Sequence, residues 1–147
     1  MESQLMLDTI RGATVWEQRM GTWWMDAPEL DVPALAEKIR ACEMRLITMS
    51  GVARTDGETD VLYHAAKGGE EYTIRVCSHN QMIPSISLIL PAANWIEREI
   101  QDLYAVTFVG HPEPAALVRP PQLERGFFRL PGGASQSRMK TAGNEKE

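Results

Sequence analysis

Residues 91–118 read PAANWIEREIQDLYAVTFVGHPEPAALV. The run places an aromatic side chain, a cluster of ionisable side chains and a Gly-His-Pro corner on one helix and its exit. Asn94 is spaced to cap that helix, and Glu97 completes the acceptor pattern of a capping box. At about 100° per residue, Ile96, Ile100, Leu103 and Tyr104 gather on one side while Glu97, Arg98 and Gln101 fall on the other. Arg98 and Asp102 are one turn apart and can pair along the surface, a contribution of about 0.2–0.5 kcal/mol. Glu99 lands between Trp95 and Leu103, at the edge of the apolar stripe and on the flank of Asp102. A carboxylate in that position needs a partner.

Two readings of Glu99 and Asp102 stay open at this level. Either they cap or pair within the domain, with Arg98, Arg119 or a backbone N–H, or they form a polar rim around Trp95 that docks on another protein. Tryptophan and arginine are enriched among interface anchors. A further possibility is a small enzyme using Glu99 and Asp102 as an acid/base pair, or a generic adaptor. The enzyme reading lacks a nucleophile, a phosphate loop or a metal constellation to complete a site.

Upstream, Asp31 offers an N-cap with Pro33 in the first turn, and Leu35, Ile39 and Cys42 give the apolar face of a helix running to about Arg45. Residues 46–53, 60–66 and 72–77 then read as three short strands with hairpin-type connections, Arg54 to Gly57 and Lys67 to Glu70. In the third, Tyr72, Ile74 and Val76 share one face and Thr73 and Arg75 the other. Residues 80–84 read as a turn, 85–90 as a short helix or a strand, and 106–109 as a strand. The expected fold is α+β in two layers, with helices packed on a mainly antiparallel sheet.

Residues 1–30 read as an adapter segment, 31–131 as the domain, and 132–147 as a disordered tail rich in Gly, Ser, Lys, Asn and Glu. In the adapter, Leu5, Met6, Ile10 and Trp16 suggest a short helix. The adjacent Trp23 and Trp24 cannot both face one core from a regular element. Either one of them faces a partner or neighbouring segment, or an irregular loop buries both.

With 147 residues the chain supports one domain, and its formal charge of -5 leaves no basic stripe for nucleic acid. No apolar run approaches the roughly 20 residues of a membrane span, and Glu2, Asp8 and Arg11 stand where a signal peptide would be apolar. A cytoplasmic location is expected, with membrane association only through partners. Cys42 and Cys77 lack any CxxC spacing, so the chain is not expected to hold an iron-sulfur cluster, and both read as buried, reduced thiols. His64, His79 and His111 show no ligand spacing. His111 reads as a corner residue bonding to backbone or to a helix carboxylate.

The run Pro91 to Trp95, then Glu97, Arg98, Glu99, Asp102, Leu103 and Tyr104, then Phe108, Gly110, His111 and Pro112, resembles the signature of the thirty-kilodalton subunit of respiratory complex I. It is similar as well to the small subunits of membrane-bound, energy-converting nickel-iron hydrogenases. The upstream strands and Pro84-Ser85 extend the likeness more weakly to about residues 32–120. Two positions depart from the family pattern: Ala105 stands where glycine is usual, and Pro114, Ala115 and Ala116 replace a basic pair. The resemblance implies a non-catalytic subunit that binds no cofactor itself. It implies docking on a large subunit, near small iron-sulfur subunits, in a complex that carries iron-sulfur clusters and either a nickel-iron centre or a quinone site. Trp95, Glu97, Arg98, Glu99 and Asp102 are the expected docking surface, with His111 and Pro112 as the corner that fixes the outgoing segment.

Overall fold

Alternating apolar residues build the sheet. In the computed structural model, which describes residues 2–118, 120, 122–126, 128 and 129, strands β3 (Arg45–Ala53), β4 (Thr59–Lys67) and β5 (Glu70–Cys77) form an antiparallel meander. Val61, Tyr63 and Ala65 of β4 and Tyr72, Ile74 and Val76 of β5 point to one face and join one hydrophobic core. Helices α1 (Glu2–Leu7), α2 (Val32–Ala41) and α3 (Asn94–Tyr104) supply the other half of it through Leu7, Leu35, Ile39 and Ile100. Burying each such side chain contributes roughly 1.5–3 kcal/mol. The expected two-layer α+β arrangement is the one observed.

The opposite face of the sheet is covered by its own side chains. Asp60, only 1 % exposed, pairs with both Arg54 and Arg75, and His64 bridges Ser50 and Thr73 at 3.1 and 2.9 Å. Burial lowers the His64 pKa, which favours a neutral ring between two hydroxyls.

Several expectations are corrected. Residues 2–30 are built into the domain: β1 (Trp16–Arg19) and β2 (Thr22–Asp26) extend the sheet in the order β1-β2-β5-β4-β3, with β2 parallel to β5. Leu7, Ile10, Met25 and Leu30 lie in the core. Trp16 is in β1, where its ring meets Tyr72 edge-on at 5.6 Å. Trp23 and Trp24 are neither in an irregular loop nor fully bare. As strand neighbours they take opposite faces, Trp23 packing on the core and Trp24 lying under the Arg19 guanidinium, 4.9 Å from the ring centre.

Helix α2 starts as expected, with the Ala34 N–H donating to Asp31 at 3.1 Å, but ends at Ala41 because Glu43 takes a left-handed φ of 55°. Cys42 is buried just past its end, while Cys77 is half-buried at the end of β5, and both thiols are free. Met82–Pro84 is not a turn but strand β6, paired in parallel with β7 (Thr107–Val109). Residues 85–90 are neither helix nor strand but a turn closed by Ile89 and Leu90 N–H groups on the Ile86 carbonyl. The expected tail, 132–147, lies outside the described residues.

Candidate functional site

A 3₁₀ turn, Pro91–Ala93, leads directly into α3, so Ala93 stands at the N-cap position and no side chain caps the helix. The capping box anticipated from Asn94 and Glu97 does not form. Instead the Glu97 carboxylate, 0 % exposed, turns inward to the segment that precedes the helix. It accepts from Ser85 Oγ at 2.6 Å, the Ile86 N–H at 2.7 Å and Ser87 Oγ at 3.0 Å. Two hydroxyls bracketing one N–H make a cup for a carboxylate. Burial pushes the Glu97 pKa up, opposed by those three donors. Tyr63 is fully buried too, and its pKa is raised, first by burial and then by the Glu97 charge.

His111 stands beside this cup without pairing to it as a charge. Its Nδ1 accepts from the Glu113 N–H at 2.9 Å, so Nε2 carries the proton and donates to the Asn94 carbonyl at 3.0 Å. The imidazole is then the neutral tautomer, and its 3.8 Å approach to Glu97 is not an ion pair. Its role in the Gly-His-Pro corner is to fasten residues 111–113 to the first turn of α3.

The rest of that flank reads the backbone of the next residues. Arg98 donates from Nε to the Ala115 carbonyl at 3.0 Å and from Nη2 to that of Ala116 at 3.3 Å, and Gln101 donates to that of Pro114 at 2.7 Å. Asp102 Oδ2 accepts the N–H groups of Leu117 and Val118 at 2.8 and 2.9 Å. Arg98 and Asp102 therefore each serve this strap, where the sequence suggested a pair with one another. The side chains that arithmetic put on the solvent face, Glu97 and Gln101, are among the most buried in the helix.

The far end is closed by Ala105, in the left-handed region at φ 57°, with its N–H on the Gln101 carbonyl. That conformation favours glycine. The Gly126 and Phe128 N–H groups then donate to the Asp102 and Leu103 carbonyls at 2.9 Å each, and the Phe128 ring meets Tyr104 edge-on at 6.0 Å. A second carboxylate cup holds the turn before β6: Glu58 accepts from Ser78 Oγ and from the N–H groups of Asn80 and Gln81.

What remains outward on α3 is a narrow strip. Trp95 and Glu99, one turn apart, are the exposed residues of the helix, and Trp95 is 69 % exposed. Of the expected docking residues, Trp95 and Glu99 face solvent and Arg98 is partly covered; Pro112 of the corner is exposed too. Glu97 and Asp102 take internal positions, engaged by backbone or hydroxyl groups of their own chain, and His111 is the backbone-bonded corner residue expected of it. Glu99 and Asp102 do not open onto a common cavity that an acid/base pair would need, because Asp102 is buried against the strap.

Sequence reasoning misses Ser87 and Glu58, reaches Ser85 only as part of Pro84-Ser85, and places Gln101 only on the polar side of the helix. The signal for Ser85 and Ser87 is their alternation around one residue after Pro84. Gln101 and Glu58 carry no comparable mark. Among the described residues no cluster of His, Cys, Asp and Glu is placed to hold a metal ion, and no helix is long and apolar enough to cross a membrane.

Residues 25–129 match the family model described as the respiratory-chain NADH dehydrogenase, 30 Kd subunit. An NADH-quinone oxidoreductase subunit of Ruegeria sp. (strain TM1040) is 30% identical over 109 residues, covering 67% of this chain and 53% of that protein. The corresponding NADH-quinone oxidoreductase subunit of Sinorhizobium medicae (strain WSM419) is 40% identical over 57 residues, 37% of this chain and 28% of that protein. The chain thus spans about half the length of these curated relatives or less. Two solved structures share the fold. A chain of the membrane-bound sulfane sulfur reductase, an archaeal respiratory membrane complex, matches with a TM-score of 0.66 at 18% identity, over 80% of this chain and 75% of that one. The trypsin-resistant fragment of Nqo5 matches with a TM-score of 0.59 at 21% identity, over 76% and 93%. With the signature residues, the fold and the family match in agreement, this chain belongs to the 30 kDa subunit family of the respiratory-chain NADH dehydrogenase.

Proposed function

We propose that this chain is a non-catalytic subunit of a complex I-like redox complex associated with the membrane, and that it docks on the large subunit through the outward strip of α3. The observation that carries this reading is the division of labour on that helix. Glu97, Gln101, Asp102 and, through its strap bonds, Arg98 are committed to the chain's own backbone, while Trp95 and Glu99 are left exposed. A large exposed aromatic beside a charge on an otherwise enclosed helix is the composition of an interface anchor.

In this role the domain is a rigid clamp. Electron transfer tolerates little displacement between centres, so a subunit that holds its neighbours in register contributes to turnover without touching the electrons. The neighbours carry the cofactors: iron-sulfur clusters, and a nickel-iron centre if the complex is of the hydrogenase type or a quinone site if it is of the NADH dehydrogenase type. Resemblance to NADH-quinone oxidoreductase subunits supports the second type. Likeness of fold to a chain of a sulfane sulfur reductase complex leaves the terminal acceptor open to chemistry other than quinone reduction.

The test is co-expression of the tagged chain with the large subunit of the same source organism. Glu99→Ala is expected to reduce co-purification while the isolated domain keeps its circular dichroism spectrum and melting temperature. Normal co-purification of a folded Glu99→Ala protein contradicts a docking role for that carboxylate.

A further inference from the structure

The turn that joins β3 to β4 reads Arg54-Thr55-Asp56-Gly57-Glu58. Asp56 is the aspartate of this chain that a glycine follows, and no asparagine stands in such a position. An aspartyl-glycine pair carries a chemistry of its own. When the carboxyl is protonated, the main-chain nitrogen of the next residue can attack its Cγ, forming a C–N bond and releasing water to leave a cyclic succinimide. Water then opens the ring. Attack at one carbonyl restores aspartate, and attack at the other leaves isoaspartate, with the main chain running through the side-chain carbon. One water leaves and one enters, and no electrons are exchanged. Glycine favours the step because no Cβ crowds its nitrogen.

In the folded protein one residue, Arg54, holds both reacting groups. Its guanidinium grips the Asp56 carboxylate, Nε donating to Oδ1 at 3.2 Å and to Oδ2 at 3.1 Å, with Nη2 also 3.1 Å from Oδ2. The Glu58 N–H donates to the same carboxylate at 3.0 Å. The Gly57 N–H, which carries the attacking nitrogen, donates to the Arg54 carbonyl at 3.4 Å. Arg54 first, then the Glu58 N–H, hold the Asp56 carboxyl below its ordinary range. An ionised carboxylate has no hydroxyl to release as water. Arg54 is anchored in turn by Nη1, which donates to the buried Asp60 of β4 at 3.2 Å, so the clamp is tied to the sheet.

We propose that Asp56–Gly57 is a site of isoaspartate formation, that Arg54 restrains the reaction, and that the product is a substrate for a carboxyl methyltransferase that recognises isoaspartate. The site is open to an enzyme, since the Asp56 side chain is 51 % exposed. Its position gives the modification a structural consequence. Isoaspartate adds one carbon to the main chain just ahead of two anchors. One is the Gly57 carbonyl, which accepts from Arg129 Nη2 at 3.0 Å. The other is the Glu58 carboxylate, which holds Ser78, Asn80 and Gln81 before β6. Isomerisation at this turn therefore displaces the contacts that fasten Arg129 and the entry to β6.

The experiment ages the full chain at neutral pH, folded and in urea, and locates isoaspartate by peptide mapping with mass spectrometry. The aged folded protein is then offered to a protein isoaspartyl methyltransferase with labelled S-adenosylmethionine. In urea the wild type and Arg54→Gln are expected to isomerise at residue 56 at the same rate. Folded, the wild type is expected to be slower than in urea, and Arg54→Gln faster than the folded wild type by about two- to fivefold, the span of an exposed ion pair. Asp56→Glu, whose longer side chain does not close the ring readily, should lose the signal. Melting temperatures separate this effect from unfolding. Where Arg54→Gln melts early, Arg54→Lys, which keeps the charge but loses the planar fork, takes its place with the same expectation. Equal rates in the folded wild type and a folded Arg54 variant overturn the restraint. Absence of isoaspartate at residue 56 in urea, or its persistence in Asp56→Glu, overturns the site. Isoaspartate that maps to residue 56 but takes no methyl group in the folded protein overturns the enzyme's part.

Discussion

The N–H of Ile86 donates to Glu97 Oε1 at 2.7 Å, joining the entry turn to the first turn of α3 inside the protein. Glu97 shares this behaviour with Glu58 and Asp102. Each collects main-chain donors from an irregular segment: Glu97 the Ile86 N–H, Glu58 those of Asn80 and Gln81, and Asp102 those of Leu117 and Val118. Buried main-chain donors must find acceptors, and here the acids of the chain supply them. The three segments frame α3, and the frame leaves Trp95 and Glu99 facing out.

Glu97→Gln is expected to lower stability by about 1–3 kcal/mol in urea unfolding, because the amide brings an NH2 donor into a cup whose three groups already donate to Glu97. The pH dependence has a definite sign. Burial raises the Glu97 pKa above its ordinary 4.5, so the folded state holds the proton more tightly than the unfolded chain. Its contribution is full below that value and is lost as pH rises through the raised pKa. Glu58 behaves oppositely. Burial pulls its pKa up, but donors from Ser78, Gln81 and Asn80 outweigh that and lower it from 4.5. Its contribution is present above that value and is lost as pH falls through the depressed pKa. The advantage of the wild type over Glu97→Gln should therefore narrow as pH rises, and that over Glu58→Gln as pH falls. Parallel curves for the two variants would contradict the assignment.

Asp102→Ala removes the acceptor for two N–H groups of the strap. A loss of about 1.5–3 kcal/mol is expected for bonds to a charged group. Limited proteolysis is the sharper readout: new cleavage should fall within residues 113–118 before the sheet is attacked. Cleavage spread evenly over the chain would show that Asp102 does not hold the strap.

Ala105→Gly should stabilise the protein by about 0.5–1 kcal/mol, since a left-handed C-cap costs a Cβ-bearing residue more than glycine, less the entropy glycine adds to the unfolded chain. A differential scanning calorimetry trace with a lower melting temperature would refute this.

Gly51 lies under the Tyr104 ring, and a Cβ there would sit 2.7 Å from two ring carbons. Gly51→Ala should cost about 1–3 kcal/mol by overpacking, and Tyr104→Leu in the same chain should recover part of it. Equal and additive losses would mean that β3 and α3 do not meet at this point.

The meander was legible because its strands carry period-two patterns and Gly-containing turns, signals that reside within each segment. So was the existence of α3 from Ile96, Ile100 and Tyr104. The destinations of its polar residues were not. Helical-wheel arithmetic presumes one buried face, but α3 is covered on two sides, by the core and by the strap, so Glu97 and Asp102 fall inside. Nothing local in the sequence says that Asp102 will meet Leu117 and Val118, or Glu97 meet Ser85 and Ser87. The place of residues 2–30 in the sheet is hidden for a related reason. β1 and β2 are short and rich in charge, and the pairing of Trp23 with Tyr72 is a long-range parallel register that no neighbouring residue announces.

The most direct measurement compares Trp95→Ala with Glu97→Gln in affinity for the large subunit and in melting temperature. If α3 turns its acids inward and its tryptophan outward to a partner, Trp95→Ala weakens binding by at least about tenfold and leaves the melting temperature unchanged. Glu97→Gln lowers the melting temperature, and its folded fraction binds normally. Full affinity in Trp95→Ala, or loss of affinity in a Glu97→Gln protein as stable as the wild type, would contradict the account.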